Sequence, residues 1–309
     1  MALVKVALDT EKRTAGKQRM WSWEKLRPYA MISPAIVIFS LFFLYPIGYM
    51  IFLSFHDWNF ISPTKEFVGT ANFTYLATDT EFREVVRNSF IYTFFVVFLT
   101  IGLSLLVALW LNRSGAIYSF MQASIFSPHI ISLVSISMLW MWIMDTDYGL
   151  LNWLLSLFGI EAVPWLTSPD YALAALILVA VWKGLGFNTL VFIAGLQSVP
   201  RDLYEAAELD QTPPWRRFWR ITVPMLSPTL FFLTIIGVIN SFQVFETINL
   251  MTSGGPINST NTFVYYIYEY GFRFFKIGYA SAAGVVLLVV LAILTAVYFQ
   301  VLSKRVHYR

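Results

Sequence analysis

Between two long apolar segments the chain carries a polar stretch that reads Arg201-Asp202-Leu203-Tyr204-Glu205-Ala206-Ala207-Glu208-Leu209-Asp210-Gln211-Thr212-Pro213-Pro214-Trp215-Arg216-Arg217-Phe218-Trp219-Arg220-Ile221-Thr222-Val223-Pro224. Helix formers with acidic residues follow Pro200, and this order predicts a short helix. Pro213 and Pro214 predict its end, because proline lacks a backbone donor and disfavours helix at the preceding residue. The second half predicts another short helix that runs into the next apolar segment. Two helices and a turn that project from an apolar body suit a docking element for a soluble partner; a solvated loop is the alternative.

The composition excludes an ordinary water-soluble globule. Of 309 residues, 58% are hydrophobic and 13% are charged, and the mean hydropathy is +0.65. Soluble domains have roughly 45–50% apolar and about 25% charged residues, so lipid must cover much of this chain. The absence of cysteine excludes thiol catalysis and cysteine-ligated metal, and the net charge of +3 is too small to indicate nucleic-acid binding.

Six apolar stretches are long enough for a membrane-spanning helix, which needs about 20 residues. They are Ala30–His56, Asn88–Leu111, Ser119–Met144, Ala172–Leu196, Thr222–Phe245 and Gly278–Leu302. Two shorter runs of 13 residues, Tyr148–Ile160 and Phe263–Phe275, are predicted to lie at the membrane surface. The sequence therefore predicts an all-α membrane protein with six transmembrane helices in residues 30–302.

The distribution of lysine and arginine predicts the orientation of these helices. Outside the spans, fifteen of these residues lie on one side of the membrane and five on the other. Because basic loops face the cytoplasm, the tails at residues 1–29 and 303–309 are expected to be cytoplasmic, in a multi-pass protein of a cytoplasmic membrane. The first span is longer than a signal-peptide core of about 7–15 residues and is expected to be retained.

Two polar residues near the middle of the fourth span are candidates for the lining of a transport path. Lys183 and Asn188 lie in the stretch Trp182-Lys183-Gly184-Leu185-Gly186-Phe187-Asn188. Burying a lysine there costs about 2.5–3.5 kcal/mol on insertion scales, so Lys183 is expected to face a cavity, a partner subunit or a carboxylate. A purely structural pairing of Lys183 is the alternative. The two glycines permit close helix packing or a kink.

The fifth span carries three further candidates for the same path. Asn240, Gln243 and Thr247 fall within about 60° of one another on a continuous helix, and Glu246 lies off this stripe. Amides and hydroxyls can bond sugar hydroxyls as donors and as acceptors. Interhelical hydrogen bonding is the alternative interpretation.

No chemistry beyond binding is predicted for this chain. His56 and His129 are single histidines without a second ligand at helical spacing, so no metal site is expected. No catalytic constellation is apparent, and the sequence contains no Gly-x-x-x-x-Gly-Lys-Ser/Thr phosphate loop, so that any ATP must be handled by another polypeptide.

The stretch 201–224 resembles the EAA signature of the membrane subunits of ABC importers, in which Glu-Ala-Ala precedes a glycine by three residues and Ile-x-Leu-Pro follows nine residues later. This sequence has Glu205-Ala206-Ala207, Gln211 at the glycine position and Ile221-Thr222-Val223-Pro224 at the expected distance. Glutamine for glycine and valine for leucine are departures, and Pro213-Pro214 is expected to supply the turn instead. Ala194-Gly195-Leu196-Gln197-Ser198-Val199-Pro200 and Thr252-Ser253-Gly254-Gly255-Pro256 are similar to permeases for oligosaccharides or glycerol phosphate.

The resemblance extends from about Pro28 to the end of the chain and implies the type I importer (MetI-like) permease fold. It implies a permease subunit of a binding-protein-dependent ABC importer for a carbohydrate. Such a subunit pairs with a second homologous permease, a cytoplasmic ATPase dimer that binds ATP and Mg, and an extracellular solute-binding protein, while binding no cofactor itself. The residues implied in ATPase docking are Tyr204, Glu205, Ala206, Ala207, Asp210 and Gln211. An ion-coupled secondary transporter that works without an ATPase is the alternative function.

Overall fold

The computed structural model describes residues 23–302, and the chain divides into two units, residues 1–52 and residues 53–309. Helix α1 (Trp23–Phe39) continues through a π-helical turn (Ser40–Leu44) into α2 (Tyr45–Ser54), whose last two residues belong to the second unit. The helical stretch Arg27–Ser54 is long and apolar enough to cross a membrane, in agreement with the first predicted span. Of the predicted tails, residues 1–22 and 303–309 lie outside the described residues.

Helices dominate the described part of the second unit. Its only strands within residues 53–302 are β1 (His56–Asp57) and β2 (Glu66–Phe67), which pair antiparallel. The helices are α3 (Ala71–Thr78), α4 (Thr80–Leu111), α5 (Ala116–Ile130), α6 (Leu133–Ile143), α7 (Leu150–Ser156), α8 (Pro169–Gln197), α9 (Arg201–Leu209), α10 (Pro214–Arg217), a π-helical turn (Phe218–Thr222), α11 (Val223–Met225), α12 (Ser227–Phe242), α13 (Glu246–Met251), α14 (Phe263–Tyr268), a second π-helical turn (Glu269–Arg273) and α15 (Ile277–Leu302).

The predicted second and fourth spans form the long unbroken helices α4 and α8, of 32 and 29 residues. Both begin at a capping residue. The side chain of Asp79 accepts a hydrogen bond from the backbone of Glu81 at 2.9 Å, and Ser168 Oγ accepts one from the backbone of Asp170 at 3.3 Å. Such caps satisfy backbone donors that the first helical turn leaves free, which explains why α4 starts before the apolar run does.

The predicted third and fifth spans are not single helices. Helices α5 and α6 meet at 100°, and the segment Pro214–Met225 meets α12 at 65°. Pro128 lies in the last turn of α5, and Ile131 has an extended backbone that ends the helix. Within residues 23–302, four unbroken helices are long and apolar enough to cross a membrane, and the number becomes six when each bent pair counts as one span.

Close packing of α8 against its neighbours explains the two glycines in its middle. A Cβ atom on Gly184 would lie 3.2 Å from the Thr100 side chain of α4, and one on Gly186 would overlap the carbonyl oxygen of Ile125 in α5. Helix α8 continues without interruption through both positions. The glycines therefore serve close helix packing, the first of the two roles expected for them, and not a kink.

The two short apolar runs behave differently. The first run, residues 148–160, contains the short helix α7 and is largely exposed. Trp153 in α7 and Phe158 after it are 57% and 81% exposed. In the second, residues 263–275, Phe263 and Tyr266 are completely buried. The prediction of a piece lying at a surface was wrong for α14, which packs against α4 and α15 inside the protein. The end of the run differs, since Phe272, Phe274 and Phe275 are exposed.

A carboxylate network holds this second run in place. The hydroxyls of Tyr266 and of Tyr279 in α15 both donate to Oδ2 of Asp79, each at 2.9 Å. Burial, reinforced by these hydrogen bonds, raises the pKa of Tyr266, so the phenol stays protonated at neutral pH. The start of α4, the run 263–275 and α15 are thereby joined at one end of the helices.

Candidate functional site

The break between α5 and α6 receives its hydrogen bonds from α8. The ammonium of Lys183 donates to the carbonyl oxygens of Pro128, at 3.2 Å, and Ile131, at 2.7 Å. These carbonyls lie at the C-terminal end of α5, where the backbone hydrogen bonds of the helix stop and its dipole has its negative end. Because Lys183 is near the midpoint of α8, the break also lies near half the length of that helix.

A cavity of about 410 Å³ opens beside this break. Its walls come from α4, from α8, from the C-terminal end of α12 and from residues 243–247, and His129 and Leu133 line it on the two sides of the break. All five residues predicted for a substrate path line this cavity. They are Lys183, Asn188, Asn240, Gln243 and Thr247.

The predicted reason for grouping three of these residues was wrong. Helix α12 ends at Phe242, Gln243 is its C-cap, and Thr247 belongs to the separate helix α13. The three side chains therefore do not form a stripe on one continuous helix; they meet because the chain turns between the two helices. The same turn brings Glu246 into the cavity lining, although the helical stripe had placed it elsewhere.

The cavity presents hydrogen-bonding groups with different degrees of exposure. Asn240, Gln243 and Glu246 are exposed, whereas an amide hydrogen of Asn188 is committed to the carbonyl of Gly184 at 2.8 Å. Thr100 is 7% exposed, and within residues 23–302 its hydroxyl has no hydrogen-bond partner. Leaving a buried hydroxyl unpaired costs about 1–3 kcal/mol, so Thr100 is a ready partner for a ligand in the cavity.

Sequence reasoning missed several of the lining residues. Tyr92, Val96 and Thr100 follow one another at four-residue spacing along α4 and line one wall together. Residues four apart share a helix face, so the eight-residue spacing of the polar residues Tyr92 and Thr100 within an apolar span was a usable signal. His129, which was given no role, lines the cavity while its ring stacks on Phe187 at 4.9 Å.

The second candidate site is the predicted docking loop, which the structure folds as two connected helical segments. Tyr204 of α9 shares a hydrogen bond with the hydroxyl of Thr222 at 3.0 Å. Glu208 of α9 forms an ion pair of 2.6 Å with Arg217. These two contacts connect α9 to the segment that leads into α12.

The turn between the two segments shows how Gln211 takes the place of the glycine in the signature. Gln211 itself takes the left-handed conformation, with φ of 49°. The backbone amides of Gln211 and Thr212 donate to the carbonyls of Glu208 and Ala207, both at 2.9 Å. This is the Schellman pattern that usually places glycine at the left-handed position. The expectation that Pro213-Pro214 replaces this turn was wrong; Pro214 instead begins α10.

The docking candidates differ in exposure. Glu205, Ala206, Asp210 and Gln211 are exposed, whereas Ala207 is buried. Leu209, which sequence reasoning did not select, is 86% exposed in the same helix. An acidic surface with one prominent apolar side chain therefore projects from α9.

Comparison with known proteins identifies the family. Residues 100–308 match the family model described as the inner membrane component of binding-protein-dependent transport systems. The chain belongs to this family. It is 32% identical over 285 residues to the sn-glycerol-3-phosphate transport system permease protein of Agrobacterium fabrum, covering 92% of this chain and 97% of that protein. It is 33% identical over 298 residues to the lactose transport system permease protein of Rhizobium radiobacter, covering 94% and 99%.

Solved structures confirm the predicted importer permease fold. A bacterial ABC transporter involved in the import of the acidic polysaccharide alginate contains a chain that matches with a TM-score of 0.76 and 27% identity, covering 90% of this chain and 98% of that one. The alginate transporter in complex with an alginate pentasaccharide-bound periplasmic protein matches with a TM-score of 0.79 and 25% identity, covering 90% and 96%. These findings favour the ABC permease hypothesis over the ion-coupled secondary transporter.

The role of Lys183 at the break leads to a stability prediction. We expect Lys183→Met to lower the thermal unfolding temperature of the purified chain in detergent, because the carbonyls of Pro128 and Ile131 lose their donor and a hydrogen bond contributes about 0.5–1.5 kcal/mol. Lys276→Met is the matched control, since Lys276 is exposed and the same charge is removed. Equal unfolding temperatures for the two variants would contradict the assignment.

The left-handed turn leads to a second prediction. We expect Gln211→Gly to slow amide hydrogen exchange in residues 207–212 by about fivefold or more, because the left-handed conformation costs a residue with a Cβ atom roughly 1–2 kcal/mol. Thr212→Gly is the control, because Thr212 is outside the left-handed region and gains nothing from glycine. If both variants change the exchange rate alike, the turn is not strained at Gln211.

Proposed function

We propose that this permease forms half of the translocation path of an ATP-driven, binding-protein-dependent importer for a carbohydrate or a sugar derivative in a bacterial cytoplasmic membrane. The observation that carries the proposal is the cavity beside the broken span, which gathers amide, hydroxyl, ammonium and carboxylate groups in a chain of this family. The names of its relatives support the substrate class. They include permeases of transport systems for sn-glycerol-3-phosphate, sulfoquinovosyl glycerol and lactose.

The chemistry of the cavity suits a polyhydroxylated substrate. Asn188, Asn240 and Gln243 each offer donors and acceptors, and Thr247 and Thr100 offer hydroxyls. A volume of about 410 Å³ falls within the roughly 300–1,000 Å³ that small-molecule sites occupy. Asn240 and Gln243 are exposed, so their amides are available to a sugar that passes through the cavity. Transport requires such weak binding, because the substrate must also leave.

The loop containing α9 is the proposed contact with the ATPase. Tyr204, Glu205, Ala206, Ala207, Asp210 and Gln211 belong to this surface, and exposed Leu209 adds an apolar contact. The ATPase dimer binds ATP and Mg and changes conformation with each cycle. Because α9 is connected by Tyr204 and Glu208 to the segment leading into α12, a displacement of the loop is passed to a helix that lines the cavity.

The remaining partners complete a path that this chain cannot form alone. A second homologous permease supplies the other half, and an extracellular solute-binding protein delivers the sugar. The chain itself performs no catalysis, since hydrolysis of ATP takes place on the partner. The permease pair has two arrangements, and binding of the sugar and binding of ATP each shift the equilibrium between them.

The substrate path is tested by transport. The complex is purified with its binding protein and reconstituted, and ATP-driven uptake is measured for the sugar that the binding protein retains. We expect Asn240→Ala and Gln243→Ala to lower uptake about three- to tenfold each, the effect of losing one hydrogen bond to the substrate. Gln300→Ala, on an exposed position of α15 outside the cavity, should have no effect. Uptake driven by an ion gradient without ATP, or unchanged in both variants, would refute the proposal.

Docking is tested separately. We expect Glu205→Lys to reduce co-purification of the ATPase by about tenfold or more, because the charge is reversed at the proposed contact. The amount of permease in the membrane should stay constant. Glu161→Lys makes the same charge change on an exposed residue of another loop and should leave co-purification intact. Full recovery of the ATPase with Glu205→Lys would show that α9 is not the contact.

A further inference from the structure

The second helical segment of the docking loop has an exposed surface that the ATPase proposal does not use. Trp215 and Trp219 are 72% and 51% exposed, and their rings pack against each other at 5.4 Å. Arg216 and Arg220, which follow these indoles in the chain, are also exposed. Each pair is four residues apart, so an indole pair and a guanidinium pair lie side by side on the segment.

Arg217 provides a contrast within the same segment. Its guanidinium is paired with Glu208 of α9 at 2.6 Å and is only partly exposed. The Glu208 carboxylate therefore pairs with Arg217, and the positive charges of Arg216 and Arg220 remain on the exposed surface. The acidic side chains of the loop lie on α9, so the loop has an acidic surface on one helix and an aromatic, basic surface on the other.

The position of this surface relative to the membrane follows from the bend at its end. The segment Pro214–Met225 leads directly into α12 and makes an angle of 65° with it. A segment that departs by 65° from a membrane-spanning helix runs closer to the membrane plane than to its normal. The distribution of lysine and arginine assigns this end to the cytoplasmic side, where anionic lipids attract basic segments.

The two tryptophans and the two arginines have side chains suited to the boundary between membrane and water. Indole rings favour the level of the lipid headgroups, where the apolar ring is buried and the N–H is hydrated. A guanidinium binds phosphate oxygens through two parallel hydrogen bonds. An exposed indole ring is more favourable at the headgroup level than in water, and a guanidinium beside it gains attraction to anionic phosphates there.

We propose that Trp215, Arg216, Trp219 and Arg220 form a binding site for anionic phospholipid headgroups of the cytoplasmic leaflet. The site holds the segment 214–222 at the membrane surface. Because α9 is connected to this segment through Tyr204 and Glu208, lipid binding sets the position from which α9 meets its partner. The inference depends on the membrane location of this family and not on the identity of the sugar.

The test uses the purified full-length chain in neutral detergent, titrated with phosphatidylglycerol or with phosphatidylcholine while bound lipid is counted by native mass spectrometry. The wild type should bind phosphatidylglycerol more tightly, and added salt should weaken this preference. Arg216→Gln combined with Arg220→Gln should lower the affinity for phosphatidylglycerol by about fivefold for each arginine, or roughly 30-fold for both. Binding of phosphatidylcholine should be unchanged, which shows that the variant is folded.

A matched control removes two other exposed arginines. Arg113→Gln combined with Arg201→Gln eliminates the same charge from loops on the same predicted side of the membrane and should retain most of the preference. Trp215→Ala combined with Trp219→Ala should weaken the binding of both lipids. Equal affinity of the wild type for the two lipids, or equal losses in the two arginine pairs, would overturn the proposal. So would a variant at Arg216 and Arg220 that keeps its lipid preference but loses the ATPase, since the surface would then belong to that partner.

Discussion

A backbone carbonyl inside a membrane must find its donor within the protein, and this constraint shapes the centre of the permease. The third span stops being a helix at Ile131, which leaves the carbonyl groups at the end of α5 without partners inside that helix. Lys183 reaches them from α8 and donates to two of them. The same side chain forms part of the cavity wall. A residue that is costly in a membrane thus makes a broken span possible, and the cavity opens beside that break.

A different constraint governs the loop between α8 and α12, where backbone groups are accessible to water. Strain can persist there only if surrounding contacts hold it. Gln211 stays in the left-handed region because two backbone hydrogen bonds close the turn around it. The contacts of Tyr204 and Glu208 then bind the two segments to each other. The loop is therefore a connected unit, held by its own backbone and side-chain contacts, whereas the broken span near Lys183 is held by a side chain from another helix.

Local sequence patterns predicted the helical body and the two helical segments of the loop between α8 and α12 well, because helix signals act over a few residues. They predicted five of the residues that line the cavity but not its construction. Asn240, Gln243 and Thr247 were grouped by assuming one helix, although α12 ends at Phe242. The burial of α14 was missed because an apolar run of 13 residues looks the same whether lipid or protein covers it. Thr100 was missed because its spacing of eight residues from Tyr92 shows that the two share a helix face but not what that face contacts.

The sequence by itself determined that the chain is a membrane protein, where its apolar helices lie, and that a helix-turn-helix stretch follows the fourth of them. Only the tertiary structure decided where two spans bend, which groups line the cavity and how Lys183 is satisfied. The physical reason is the distance along the sequence over which each kind of interaction acts. Hydrophobicity and helix signals are properties of neighbouring residues, whereas the donor for the carbonyl of Pro128 comes from a lysine 55 residues away. No local pattern can specify such a partner, because it exists only once α5 and α8 have packed together.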